Sequence, residues 1–229
     1  MKKLFAYFTK GELMLWLSSA LIILLTFFMF DNDGYLTLIA SLTGVTSLIF
    51  CAKGNPVGQI LMIIFSLIYG YISYGFAYYG EMVTYLGMTL PMSALSLISW
   101  LKNPYKGSKS EVAVNHVSKK ELPFMLIPTA AVTVIFYFIL SHLGTANLIP
   151  STLSVATSFA AAYLTFRRSP FFALCYALND IVLIVLWILA AIKDISYLSV
   201  IICFSVFLVN DLYGFFNWRK MEKHQNHNK

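Results

Sequence analysis

The chain has 229 residues, of which 59% are hydrophobic and 11% charged, and its formal net charge is +6. Its mean hydropathy is +0.75. Soluble domains of this length do not contain so large a hydrophobic fraction, so the composition indicates an integral membrane protein.

The three cysteines lie in apolar segments without CxxC spacing, and the four histidines lie in a loop, at a helix end and in the tail. We therefore expect no metal and no cofactor.

The amino terminus carries Lys2, Lys3 and Lys10 before an apolar run over residues 13–30. This arrangement is similar to a secretory signal peptide. The run ends at Asp31 without a small-residue cleavage pattern, however, so it predicts a first membrane span that is retained.

Long apolar runs divide the chain into eight predicted spans of about 20 residues each, the length that crosses a bilayer as a helix. Continuous apolar runs of this length exclude a membrane β-barrel, whose strands alternate in polarity. The predicted spans are 13–30, 35–52, 56–79, 82–101, 123–142, 148–166, 171–192 and 195–217.

The basic residues predict the orientation. With a cytoplasmic amino terminus, 15 of the 16 Lys and Arg residues fall on the cytoplasmic side, and Lys193 is the exception. The outer connections carry Asp31, Asp33, Glu81 and Asp194. The positive-inside rule thus predicts a multi-pass protein of the inner (plasma) membrane with both termini in the cytoplasm. The same bias explains the net charge, so we expect membrane lipid and no nucleic acid as a partner.

Spans two to four and spans six to eight show an internal repeat. Residues 51–56 (CAKGNP) precede residues 165–170 (TFRRSP) by 114 positions, and the third spans end alike at 99–102 (SWLK) and 217–220 (NWRK). Each triplet starts outside and ends inside, so the two are parallel and span five is the linker between them.

The predicted fold is therefore all-α integral membrane, with one N-terminal helix followed by a 3+1+3 parallel-repeat core. This fold divides the chain into five segments. They are the N-terminal helix at 1–34, a first bundle at 35–101, a loop and linker helix at 102–147, a second bundle at 148–218 and a basic tail at 219–229.

Asp180 and Asp211 each follow an asparagine inside a long apolar span. A carboxylate at the centre of a membrane helix costs about 2.5–3.5 kcal/mol on the insertion scale, so two of them indicate a polar site. On span seven Tyr176, Asp180 and Trp187 are spaced i, i+4 and i+11, which places them on one face, with Asn179 one step around the helix.

Residues 55–104, including Tyr79-Gly80-Glu81, resemble the nicotinamide riboside transporter family (PnuC), as do residues 177–190 and 215–220. This family is related in fold to the SWEET sugar transporters. The resemblance implies facilitated diffusion of nicotinamide riboside by alternating access, with trapping by cytoplasmic phosphorylation. It implies no ATP site and no coupling ion. Members of the family carry different ligands, including thiamine, riboflavin and deoxynucleosides, and these substrates remain alternatives.

Such a substrate offers a flat cationic ring, a carboxamide and ribose hydroxyls. Aromatic side chains can stack on the ring, and amides can both donate and accept hydrogen bonds. The predicted substrate-binding residues are Gln59, Ser66, Tyr69, Thr89, Tyr176, Asn179, Asp180, Trp187, Asn210 and Asp211.

The two aspartates have three alternative roles: they could balance the ring charge, carry protons in a coupled carrier, or bond helices together. Pro91, in the middle of span four, is either a hinge or a structural kink.

An enzyme is not expected, because the spans hold no histidine and no paired nucleophile and base. A non-transporting membrane scaffold and a homo-oligomer are left open.

Overall fold

The computed structural model describes residues 7–30, 35–75, 79–145, 147–192 and 195–227. Within them eight helices are long and apolar enough to cross a membrane. The outer acidic residues Asp31 and Asp33 and the pair Lys193-Asp194 lie outside the described residues. The helices are α1 (Lys10–Phe30), α2 (Tyr35–Ala52), α3 (Val57–Gly75), α4 (Tyr79–Lys102), α5 (Leu122–His142), α6 (Leu148–Phe166), α7 (Phe171–Ala191) and α8 (Leu198–His227).

The predicted bounds of the second and sixth spans agree with α2 and α6 at both ends. The largest difference between prediction and structure is in the last span. Helix α8 continues to His227 instead of ending at residue 217, so most of the predicted basic tail is helical. Its final turns carry Glu222 and Gln225, which are buried against the loop that follows α4. Packing therefore extends this helix beyond its apolar segment.

The loop between α4 and α5 contains a small hairpin that an all-α prediction does not include. Strand β1 (Pro104–Tyr105) pairs antiparallel with β2 (Ser108–Val112). The turn between them uses the left-handed conformation at Lys106 (φ 46°) and Gly107 (φ 78°). We call residues 103–117 the strap, because they cross one end of the helix bundle.

Helix α4 is not a regular α-helix throughout. It contains a π-helical segment, Tyr85–Thr89, between the α-helical segments Tyr79–Thr84 and Leu90–Lys102. The Leu90 amide donates to the Tyr85 carbonyl five residues earlier. The next residue, Pro91, has no amide hydrogen, so the hydrogen-bond ladder is interrupted at the same place. The irregularity predicted around Pro91 is thus present.

Six helices form a closed ring. Within the first triplet α2 contacts α3 and α3 contacts α4, and within the second α6 contacts α7 and α7 contacts α8. The triplets join through α2 with α8 and through α4 with α6, so the two junctions are equivalent. Helix α1 lies outside on α2 and α8, and α5 lies outside on α6. This is the one-helix-plus-3+1+3 architecture.

The predicted repeat is visible at the ends of α2 and α6. Gly54 (φ 64°) and Arg168 (φ 58°) both adopt the left-handed conformation. The Gly54 amide donates to the Cys51 carbonyl (2.9 Å), and the Arg168 amide donates to the Thr165 carbonyl (3.0 Å). All these equivalent positions are 114 residues apart. The two triplets therefore end their first helices with the same cap.

The end of the ring that includes residues 52–56, 100–103 and 166–170 is called the terminal end, and the opposite end is the distal end. A buried cluster fills the terminal end, and we call it the plug. It consists of Cys51, Trp100, Val112, Leu164, Phe172, Ala173 and Trp218. Val112 belongs to the strap and its amide donates to the Gly54 carbonyl, so the strap covers the plug.

Candidate functional site

A cavity of about 410 Å³ lies inside the helix ring. At the distal end its lining includes Leu143, Gly144 and Asn147, which are exposed at the surface. At the other end it reaches Tyr176 and Asp211 and stops above the plug. A volume of this size accommodates a small organic molecule.

Aromatic rings line the distal half of the cavity. Tyr69 of α3 and Tyr85 of α4 lie with ring centroids 4.5 Å apart, and the π-helical segment positions Tyr85. On the other side Trp187 of α7 lies 5.2 Å from the ring of Tyr197. All four line the cavity. Two facing groups of aromatic rings suit a flat ligand ring.

Glu81, two residues after the start of α4, also lines the distal half. Its carboxyl group lies within hydrogen-bonding reach of the Tyr69 hydroxyl. Glu81 and Tyr85 are four residues apart and so share one face of the helix. The aromatic half of the cavity therefore contains one carboxylate.

The inner half of the cavity is polar. Asp180 of α7 and Asp211 of α8 are only 4% and 5% exposed, and both line it. Their carboxyl groups lie within hydrogen-bonding reach of each other. No Lys, Arg or His occurs among the described residues that line the cavity, so this pair has no cationic side chain beside it.

Two buried polar atoms in the lining have no hydrogen-bond partner within the described residues: Oδ2 of Asp180 and Nε1 of Trp187. An unpaired buried donor or acceptor costs about 1–3 kcal/mol. A ligand in the cavity can satisfy both atoms, one as an acceptor and one as a donor.

The side-chain amide oxygen of Asn179 is held by a hydrogen bond. The hydroxyl of Thr157, on α6, donates to Asn179 Oδ1 at 2.8 Å. Since the oxygen is occupied, the amide nitrogen is the group left to donate to a ligand. Asn179 lines the cavity, so it supplies a donor there.

The structure brings seven of the ten predicted site residues together. The predicted stripe on span seven is present, because all four of its members line the cavity. The seven residues in the lining are Tyr69, Thr89, Tyr176, Asn179, Asp180, Trp187 and Asp211.

The other three do not line the cavity. Gln59 donates to Cys51 Sγ, and Ser66 donates to the Met62 carbonyl of its own helix. Asn210 donates to Ser19 of α1 and to the Val206 carbonyl. These polar groups bond helices or their own backbone, which membrane Ser and amide side chains commonly do.

Three residues that line the cavity are absent from the ten predicted site residues: Glu81, Tyr85 and Tyr197. The sequence places Glu81 in an outer connection because it stands at the edge of an apolar run. The available signal was its four-residue spacing from Tyr85, which places both on one helix face. Tyr197 follows the undescribed residues 193–194 and is brought to the cavity only by the chain reversal between α7 and α8.

Two matching helix triplets around a substrate-sized cavity, aromatic in one half and polar in the other, define a membrane transport protein. The chain belongs to the nicotinamide mononucleotide transporter family, whose family model matches residues 34–220. The resemblance drawn from the sequence is thereby confirmed, as is the prediction that the chain is not an enzyme.

Two relatives support the assignment. The chain is 29% identical over 228 residues to the nicotinamide riboside transporter PnuC of Neisseria mucosa, covering 97% of this chain and 86% of the relative. It is 26% identical over 212 residues to the nicotinamide riboside transporter PnuC of Haemophilus influenzae, covering 92% and 91%. A crystal structure of the vitamin B3 transporter PnuC is similar with a TM-score of 0.80 and 25% identity, covering 95% and 94% of the two chains.

Proposed function

We propose that this protein takes up nicotinamide riboside by facilitated diffusion. The observation that carries the proposal is a cavity that combines facing aromatic rings with three carboxyl groups and has no basic side chain among its described lining residues. Nicotinamide riboside has a flat cationic ring, which such a cavity attracts by stacking and by charge. The names of the two relatives agree with this substrate.

The side chains that line the cavity favour nicotinamide riboside over nicotinamide mononucleotide, the compound in the name of the family. A phosphate group would have to enter a space lined by Glu81, Asp180 and Asp211. Phosphate is recognised in proteins by Arg, Lys or backbone amides at helix termini, and no Arg or Lys occurs among the described residues that line the cavity. The proposed substrate is therefore the nucleoside without its phosphate.

The proposed mechanism is alternating access between the two triplets. In this structure the cavity reaches the distal end, and the plug closes the terminal end. The basic residues favour the cytoplasm for the terminal end. Opening the plug while the distal end closes would move the substrate inward, where phosphorylation would trap it.

The test is side-by-side binding to the purified protein, with uptake into proteoliposomes as the second measurement. Nicotinamide riboside, nicotinamide mononucleotide, nicotinamide, thiamine, riboflavin and deoxynucleosides would be compared. We expect nicotinamide riboside to bind and to enter. If thiamine or riboflavin binds and nicotinamide riboside does not, the proposed substrate is wrong but the protein can still be a transporter. If the mononucleotide binds more tightly than the riboside, the argument that this cavity disfavours a phosphate group is wrong.

A further inference from the structure

The two unpartnered atoms of the cavity lie on one helix face at different depths. Trp187 and Asp180 are seven residues apart on α7, which is about 10.5 Å along the helix axis. Trp187 lies in the distal half, four residues before the helix ends at Ala191. Asp180 lies near the middle of the helix. A ligand that satisfies both must therefore present an acceptor towards the distal end and a donor towards the inner half.

The inner half is built to accept hydrogen bonds. Carboxyl oxygens accept hydrogen bonds, and two neighbouring carboxyl groups with no cationic side chain beside them in the described lining share at least one proton. The remaining oxygens of Asp180 and Asp211 are free to accept from a ligand. Two adjacent hydroxyl groups match this pair, since each can donate to one carboxyl oxygen. A ribose has such a vicinal diol at its 2′ and 3′ positions.

The distal half is built to hold a flat cation. The rings of Tyr69 and Tyr85 lie on one side and those of Trp187 and Tyr197 on the other, and Glu81 is the carboxylate among them. The unpartnered Trp187 Nε1 can donate to a carboxamide oxygen. The nearest match for this half is the pyridinium carboxamide.

We infer that the ligand binds with its ring in the distal half and its ribose in the inner half, so that Asp180 and Asp211 recognise the vicinal diol and Glu81 balances the ring charge. This inference rests on the proposed function and deepens it. It makes the aspartate pair responsible for selecting ribose over deoxyribose, and it assigns the role of counter-ion to Glu81 instead of the two aspartates.

The experiment measures the affinities of three probes for the purified protein and for the variants Asp180→Asn, Asp211→Asn and Glu81→Gln. The probes are nicotinamide riboside, its 2′-deoxy analogue and the uncharged dihydronicotinamide riboside. The last probe keeps the carboxamide and the ribose but removes the ring charge. Ligand-free thermal unfolding of each variant controls for folding, and the two aspartate variants are independent tests of one site.

In the unsubstituted protein we expect the 2′-deoxy analogue to bind about tenfold more weakly than the riboside, as for loss of a hydrogen bond to a charged group. Asp180→Asn and Asp211→Asn should each weaken the binding of the riboside and of its dihydro form by the same factor. In these variants the difference in affinity between the riboside and its 2′-deoxy analogue should be smaller than in the unsubstituted protein. Glu81→Gln should weaken the cationic riboside about tenfold and leave the dihydro form nearly unchanged.

Two results would overturn the inference. One is equal binding of the riboside and its 2′-deoxy analogue. The other is an Asp180→Asn or Asp211→Asn variant that weakens only the cationic probe, because the aspartates would then act as the counter-ion. If none of the three probes binds the folded protein, the proposed function itself fails, which is a separate outcome.

Discussion

Trp100 and Trp218 meet in the plug with their ring centroids 5.4 Å apart, and each donates its indole N–H across the junction between the triplets. Trp100 Nε1 donates to the Thr165 carbonyl (2.9 Å), and Trp218 Nε1 donates to the Cys51 carbonyl (2.8 Å). Each acceptor is near the end of the first helix of the opposite triplet. The pair therefore ties the two halves together symmetrically at the closed end.

Substituting either tryptophan should destabilise this closed end. Trp100→Phe or Trp218→Phe removes one of the two hydrogen bonds that a buried carbonyl accepts, and it removes volume from a side chain that is 0% exposed. We expect each to lower the free energy of unfolding by about 1–3 kcal/mol, measured by thermal unfolding in detergent. Trp16→Phe is the matched control, because Trp16 is only half-buried and donates to a threonine hydroxyl. A loss as large in the control would contradict the prediction.

Thr157 should act on the ligand through Asn179. Thr157→Val removes the donor that fixes Asn179 Oδ1, so the amide loses its set orientation towards the cavity. We expect the affinity for nicotinamide riboside to fall about fivefold, corresponding to about 1 kcal/mol, measured by calorimetry. Thr157→Ser keeps the hydroxyl and should restore the affinity. An equal loss in Thr157→Ser would show that the methyl group, not the hydrogen bond, matters.

Glu12 should fasten α1 to the core. It is 2% exposed and accepts hydrogen bonds from Lys53 Nζ (3.0 Å) and from the Tyr213 hydroxyl (2.9 Å). Glu12→Gln removes the charge that Lys53 faces, and we expect a loss of about 1–3 kcal/mol in thermal unfolding together with faster amide hydrogen exchange in α1. Tyr213→Phe removes a single hydrogen bond and should have a smaller effect. Unchanged exchange in α1 would refute the fastening role.

Gln225 should hold the strap. Its Oε1 accepts from the Val114 amide (2.8 Å), and its Nε2 donates to the Val112 carbonyl (3.1 Å) and to Glu111 (2.9 Å). Gln225→Ala removes all three, so we expect faster hydrogen exchange across residues 110–116 by mass spectrometry. The neighbouring exposed Asn226→Ala is the control and should leave exchange in the strap as it was. Equal rates in both variants would mean that the strap is held by other contacts.

Uptake should be independent of a proton gradient. Facilitated diffusion follows the gradient of the substrate alone, and the aspartate pair is proposed to bind hydroxyls. We expect an uncoupler to leave the initial rate of nicotinamide riboside uptake into proteoliposomes unchanged. Collapse of uptake when the gradient is dissipated would support the alternative in which Asp180 and Asp211 carry protons.

The membrane fold was predictable because its signals are local. A run of about 20 apolar residues is sufficient to define a span, and the repeated sequences around Pro56 and Pro170 mark the same helix cap twice. The stripe on α7 was predictable for the same reason, since helical periodicity alone places Tyr176, Asp180 and Trp187 on one face.

The rest of the site depended on which helix lies beside each polar residue. Asn210 and Asp211 are adjacent in sequence, yet Asn210 contacts Ser19 of α1 and Asp211 lines the cavity. One residue turns the helix by about 100°, so the neighbouring helix decides which of the two meets a ligand. Likewise Glu81 stands at the edge of an apolar run, and only the closure of α3 and α4 brings it to Tyr69.

By itself the sequence determined eight membrane helices, their parallel repeat and the polar stripe of α7, because these follow from hydrophobic length and helical period. The tertiary structure alone decided that six helices close into a ring, that Trp100 and Trp218 seal one end, and that Glu81 joins Asp180 and Asp211 in one cavity. Such contacts join residues far apart in the chain, and apolar helices of similar composition carry little local information about their neighbours.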